Sequence, residues 1–381
     1  MSVPINLDGN ATTPPHPAVI ETVVTHLQQN WGNPGSRHAI GRRARRVLDD
    51  SRETIAAILD AEFEEVVFTS GGTESNNLAI QGLAVGSRRR LVTLPGEHPA
   101  TRETCRHLQQ RGWTLATLPI DTHGQWRVDQ LEAIVTAETG LVTALLAHNE
   151  TGVRQNLEPL VARCQTISTP LHVDAVQAVG RIPVSFRNLS ATTLSFAAHK
   201  FHGLRGVGGL LVRRGTQMAP LLFGGHQESE RRPGTEAVAL AAGMAKALEL
   251  WQQEAVKREA HMGNLRDRLE AALEAQLAPV VVQGKEALRL PNTSCVAFPG
   301  VDGEALLVNL DLAGVACSLG STCASGSAEP AEILLAMGCS PEVARASVRF
   351  SLTAMTTETE VEQAIERIVA AVSRLRGREL A

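Results

Sequence analysis

Apolar positions along the first two hundred residues change period repeatedly. Segments 17–30 and 41–59 space them three and four apart, as a helix burying one face requires. A polar turn, WGNPGSRHAIG, separates the two. Short continuous apolar runs then alternate with helical ones. EVVFTS (65–70), RLVTLPG (90–96), GLVTALLAHNE (140–150), PLHVDAVQAVG (170–180), TLSFAAHK (193–200) and GVGGLLVRR (206–214) predict buried strands. GGTESNNLAIQGLAVG, HPATRETCRHLQQRG and EPLVARCQTIS predict the helices between them. This alternation implies an α/β fold with a mostly parallel sheet covered by helices on both faces. Ligands of such sheets bind where strand ends meet loops.

A long helix is predicted over 236–276. After it come a strand in NTSCVAFPG, a helix at 303–311, a Gly/Ser-rich loop and an amphipathic helix at 358–376. The expected division is a large domain over 15–255 and a smaller α+β domain over 256–381, with residues 1–14 packed on the smaller one.

The chain has 381 residues, 43% hydrophobic and 20% charged, as an ordinary two-domain globular protein would. A net charge of −4 gives no electrostatic reason to expect nucleic acid or an anionic membrane as partner. No apolar stretch is long enough to span a bilayer, and MSVPINLDGNATTPP lacks a basic segment followed by an apolar run, so a cytoplasmic enzyme is expected. Six cysteines, at 105, 164, 295, 317, 323 and 339, include no CxxC pair, which argues against a zinc or dithiol motif. Tyrosine is absent, and lysine occurs only at 200, 246, 257 and 285. Any lysine chemistry therefore has four candidates.

Lys200 ends an apolar run, on the ligand edge of the predicted sheet. It reads equally as a solvated strand-end lysine or as a buried amine whose lowered pKa makes it a nucleophile for an aldehyde. Lys246, Lys257 and Lys285 have polar or turn neighbours. Pyridoxal 5'-phosphate makes further demands. Its phosphate needs donors at a helix start, which Thr69-Ser-Gly-Gly-Thr-Glu-Ser75 could supply, though an ordinary capped turn looks the same. Its ring nitrogen needs a carboxylate, and Asp174 stands at a strand end, where a plain cap would also stand. Its ring face needs a flat group, for which His98 is the candidate, a histidine before proline being otherwise a turn residue. Arg349 is a charge inside an apolar strand and must be paired, by a structural acid or by a substrate carboxylate held bidentately. Cys323 lies in a small polar loop that suits a mobile thiol, or a harmless one.

These motifs together resemble the cysteine desulfurases, fold-type I pyridoxal-phosphate enzymes of the class V aminotransferase group. The resemblance runs from LDGNATTP (7–14) through GNPGSRH (32–38), FTSGGTESNNLAI (68–80), EH (97–98), HNETGV (148–153), HVDAVQAVG (172–180), HK (199–200), RPGTEAV (232–238) and GSTCAS (320–325) to VRFSL (348–352). It implies a fold-type I architecture with a seven-stranded-type sheet. Lys200 would carry the cofactor as a Schiff base, with Asp174 on the ring nitrogen, Gln177 on the ring hydroxyl, His98 stacked on the ring and Asn149 beside the ring substituents. Gly72, Thr73 and His199 would hold the phosphate. Thr235 would reach the phosphate of the other subunit of a homodimer. Arg349 with Asn33 would bind the carboxylate of L-cysteine, and Cys323 would take the sulfur as a persulfide for a sulfur-acceptor protein such as an iron–sulfur scaffold. The chain departs from the pattern at Ala197, where the family often has a phosphate-binding serine, and at His202, where many relatives have tyrosine.

The nearest alternatives keep the fold: selenocysteine lyase, cysteine sulfinate desulfinase or an aminotransferase. A nucleotide enzyme is disfavoured because GxxxxGK[ST] is absent. His148-Asn-Glu150 mimics a zinc deaminase, but the partner PCxxC is missing.

Overall fold

A computed structural model describes residues 4–319 and 330–377. Seven strands form one sheet in the spatial order Val66–Thr69, Gly208–Val212, Thr193–Ala197, Leu171–Asp174, Thr139–Leu145, Arg90–Thr93, Thr114–Thr117. All neighbours are parallel except around Gly208–Val212, which runs against both of its partners. Thr69, Thr93, Leu145, Asp174 and Ala197 therefore end on one edge of the sheet.

The period-two alternation of the strands builds the layers. Leu91 and Leu141 face a core with Ile80, Leu83, Cys105 and Leu108 from helices Gly72–Leu83 and Pro99–Gln110. Val92, Val142, Val173 and Leu194 join a larger core with Leu48 and Ile55 of helix Ala39–Ile58. Burial on both faces explains why these strands read as continuous apolar runs. Thr114–Thr117 was not predicted. It is the edge strand, with two of its four residues exposed, so its sequence carries no apolar run.

Helix Val238–Leu277 feeds two cores. Ala241, Met244 and Leu248 pack on the large sheet. Beyond a kink at Glu254, Leu265, Leu269, Leu273 and Leu277 pack with Val296, Phe298, Val348, Phe350 and the final helix Glu358–Leu375. We take that kink as the division between the two units. The second core covers a four-stranded antiparallel sheet containing Thr293–Ala297 and Ser347–Ser351. Ile5 and Leu7 are buried in it, and Ile5–Asn6 pairs with Val315–Ala316. No helix among the described residues is long and apolar enough to cross a membrane.

A buried ion pair fastens the segment before the long helix. Arg52 meets Glu228 at 2.7 Å, with side chains 8% and 2% exposed, and Glu228 also accepts the Phe68 amide at 3.0 Å. The Arg52 guanidinium lies 4.8 Å from the Phe68 ring centroid. Glu228, Ser229 and Glu230 all hold positive φ, a conformation that persists only where surrounding contacts enforce it. Arg52→Ala would strand the Glu228 charge, and chemical denaturation should show a loss of about 3–5 kcal/mol.

Candidate functional site

A cavity of about 330 Å³ opens at the carboxyl edge of the large sheet. That is within the usual range of small-molecule sites, roughly 300–1,000 Å³. Its walls bring together Gly72, Thr73, His98, Asn149, Asp174, Gln177, His199, Lys200 and Arg349, nine of the residues singled out from the sequence. Asn33 and Thr235 lie elsewhere, both exposed. Cys323 falls outside the described residues.

Strand ends place most of these groups. Lys200 closes a 3-10 turn directly after strand Thr193–Ala197. Its Nζ donates to the backbone oxygens of Asn10 at 2.6 Å and Ala11 at 3.0 Å. The other lysines have different company: Lys246 pairs with Glu249, Lys285 with Glu274, and Lys257 is exposed. Asp174 ends its strand and is 7% exposed. Its Oδ1 accepts the Val176 amide at 3.0 Å, and its Oδ2 accepts Asn76 Nδ2 at 2.6 Å. Gln177 Nε2 donates to the Asn10 carbonyl at 3.1 Å, and its Oε1 accepts from Arg181.

His98 caps helix Pro99–Gln110, its Nδ1 accepting the Ala100 amide at 3.1 Å. That contact fixes the ring and leaves Nε2 as the protonated nitrogen of the neutral form. Burial lowers the His98 pKa, Asp174 opposes the shift, and the nearby Lys200 charge reinforces it. Burial pushes His199 down to about 4, again with help from Lys200. Beneath the site, burial and the Asp174 charge raise the Glu97 carboxyl well above the ordinary carboxylate range, against the amides of Leu145 and Leu94.

The anion end lies at the start of helix Gly72–Leu83. The first amides of a helix have no acceptor within it and favour a bound phosphate. Gly72 is required by space: a Cβ there would stand 2.8 Å from Val176 Cγ2 and 3.7 Å from Ala197 Cβ. The preceding Gly71 has φ +154°, a conformation rare for other residues. Ala197 is fully buried on the wall and offers no hydroxyl.

Arg349 lies at the other end, 3% exposed, on strand Ser347–Ser351. Its guanidinium donates to Asp8 Oδ1 at 2.7 Å and to the Asn149 carbonyl at 3.3 Å, while Nε has no partner among the described residues. The two readings of Arg349 therefore coexist: Asp8 is its structural acid, and the same side chain lines the cavity. Burial pushes the neighbouring Glu150 carboxyl up to about 8, with Arg349 opposing, and the acid that pairs with the arginine is Asp8.

Three residues around the site carried no role in the sequence reading. Asn10 is 1% exposed and donates from Nδ2 to the Asn149 carbonyl and Thr293 Oγ1, both at 2.9 Å. Its own carbonyl receives Lys200 and Gln177. Asn76 holds Asp174, and Asp8 holds Arg349. Asn76 stands in the polar run Thr-Glu-Ser-Asn-Asn (73–77), so nothing in its neighbours set it apart.

Comparison with known proteins agrees with this geometry. The family model described as Aminotransferase class-V matches residues 5–364. A cysteine desulfurase of Nostoc sp. is 42% identical, the match covering 99% of this chain and 94% of that protein. The cysteine desulfurase NifS of Azotobacter vinelandii is 37% identical over 98% of this chain and 94% of its own. Among solved structures, a NifS-like protein aligns with a TM-score of 0.92 at 33% identity, covering 98% of this chain and all of that one. A structure of SspA in complex with cysteine aligns with a TM-score of 0.81 at 28% identity, over 92% of this chain and 99% of that one.

Proposed function

The chain belongs to the class-V aminotransferase family, and from that premise we infer that it is a pyridoxal-phosphate-dependent cysteine desulfurase. The observation that carries this reading is one cavity that gathers Lys200, Asp174, His98 and Arg349 at the strand ends. The residues fit the cofactor: a helix start with a space-forced glycine for the phosphate, a buried carboxylate for the ring nitrogen and an amine for the aldehyde. When bound, pyridoxal phosphate supplies an electrophilic carbon and an electron-accepting ring. Gly72, Thr73 and His199 would hold its phosphate, Gln177 and Asn149 would sit at the ring substituents, and His98 would cover one face.

The protein's own groups then divide the work. Arg349, on the cavity wall, grips the carboxylate of L-cysteine. Lys200 Nζ takes the proton from the substrate Cα and later returns one. Asp174 keeps the ring nitrogen protonated. The Cys323 thiolate attacks the substrate sulfur, forming an S–S bond as the Cβ–S bond breaks. The products are alanine and a persulfide on Cys323. Cysteine in the SspA complex supports this substrate class.

A homodimer belongs to the same reading. Thr235 is exposed away from its own cavity, as a residue serving a second copy would be. Ile20, Val24, Leu27 and Trp31 line one face of helix Pro17–Gln29 and its exit at 45%, 45%, 62% and 70% exposure, an apolar stripe suited to a partner. We place the enzyme in the cytoplasm, where its five described thiols, all unpaired, would stay reduced, and we expect it to pass sulfur to an acceptor protein, with iron–sulfur assembly as the destination.

The direct test incubates the cofactor-loaded protein with L-cysteine, selenocysteine or cysteine sulfinate and scores alanine. Fastest turnover on cysteine is expected; preference for either analogue would move the protein to a sister activity. Arg349→Lys should reduce kcat/KM for cysteine by about 100-fold, mostly through KM, because the ammonium lacks the guanidinium fork. Steady-state kinetics measures this.

A further inference from the structure

We propose that Asn76 and His172 are positioning residues, joined to Thr193 in one buried chain of hydrogen bonds that aims the Asp174 carboxylate at the cofactor's ring nitrogen. The proposal rests on the reading of the cavity as a pyridoxal-phosphate site. Asn76 Nδ2 donates to Asp174 Oδ2 at 2.6 Å. Asn76 Oδ1 lies 3.1 Å from His172 Nε2, and His172 Nδ1 lies 2.9 Å from Thr193 Oγ1. Asn76 is 1% exposed, and His172 and Thr193 are fully buried.

The chain runs in one direction. An amide oxygen only accepts, so His172 must donate from Nε2. Burial pushes the His172 pKa down to about 4, which leaves the ring neutral near pH 7. Its Nδ1 then accepts the Thr193 hydroxyl. With its oxygen held by His172, the Asn76 amide turns its NH₂ toward Asp174. A flipped amide would set its oxygen against a carboxylate oxygen. Each Asp174 oxygen thus receives one N–H, from Asn76 and from Val176, and the carboxylate plane is fixed.

Secondary structure assembles the chain. His172 and Asp174 are two apart on one strand and share a face. Thr193 stands opposite His172 in the parallel register. Asn76 comes from the buried side of helix Gly72–Leu83, the helix whose start would hold the phosphate. One rigid unit would therefore align the two ends of the cofactor.

Three measurements test this. Asn76→Ala and His172→Phe should weaken the equilibrium binding of pyridoxal 5'-phosphate about tenfold, the loss expected for one hydrogen bond to a charged group. His172→Gln, which keeps an N–H near the Nε2 position, should bind close to the wild-type affinity. Nitrogen-15 spectra of the wild-type holoprotein should show His172 neutral with its proton on Nε2. Wild-type affinity in folded Asn76→Ala and His172→Phe variants would overturn the proposal. So would a charged His172 or a proton on Nδ1, and that readout stands even if the variants do not fold. A wild-type protein that binds no pyridoxal phosphate would instead defeat the underlying functional reading.

Discussion

Lys200→Ala should lower alanine formation from cysteine by about 10⁴-fold, the upper range for loss of a positioned acid–base group. The amine is located by the fold: the strand Thr193–Ala197 ends, one 3-10 turn follows, and Nζ reaches the Asn10 and Ala11 carbonyls. Those acceptors keep it at the cavity wall, near enough to His98 and His199 for its charge to lower the pKa of both rings. No other lysine lines the cavity. Borohydride treatment of the wild-type holoprotein should leave the mass of the cofactor on the peptide containing Lys200, and none on the variant. Added methylamine should restore part of the variant's turnover if the lost group moved a proton, and none if Lys200 served only to shape the site. Near-normal turnover in the variant, or an adduct on another lysine, would remove the basis of the proposed function.

What was legible in the sequence follows from what side chains do locally. The central strands showed as apolar runs because both of their faces are covered, and the edge strand Thr114–Thr117 did not because its faces are half open. Lys200, Asp174 and His98 stood out as polar groups ending apolar runs or opening helices, positions that the chain alone defines. Asn10, Asn76 and Asp8 did not stand out. Their partners are distant in sequence: Asn10 meets Asn292 and Thr293, Asn76 meets Asp174, and Asp8 meets Arg349. A short polar side chain near a turn or on a helix resembles a cap until the fold shows what it holds. Arg349 lay between the two cases. Its need for a partner was evident from burial in an apolar strand, but Asp8 became visible only when the first residues of the chain were seen beside that strand.

Cys323→Ala should cut sulfide release by about 10³-fold or more while the coloured cofactor stays bound, because on the proposed reading only the nucleophile is removed. The case rests partly on the other thiols. Burial pushes Cys105, Cys164 and Cys317 up to about 12, and raises Cys295 and Cys339 as well. A thiol with a pKa near 12 is thiolate in only about one part in 10⁵ at neutral pH, too little to drive sulfur attack. Cys317, next to Ser318, is the strongest rival, but the Asp8 charge adds to burial in raising it and Arg349 opposes them. Ser318, on the cavity wall, donates to the same Asp8 oxygen that holds Arg349, at 2.9 Å. Arg349 and Ser318 are thereby tied at one atom. Cys323 follows Ser318 by five residues in the sequence, outside the described residues. Cys317→Ala should accordingly keep most of the sulfide release. Assay of sulfide and alanine in the two variants separates the candidates: full activity in Cys323→Ala with loss in Cys317→Ala would move the nucleophile to Cys317.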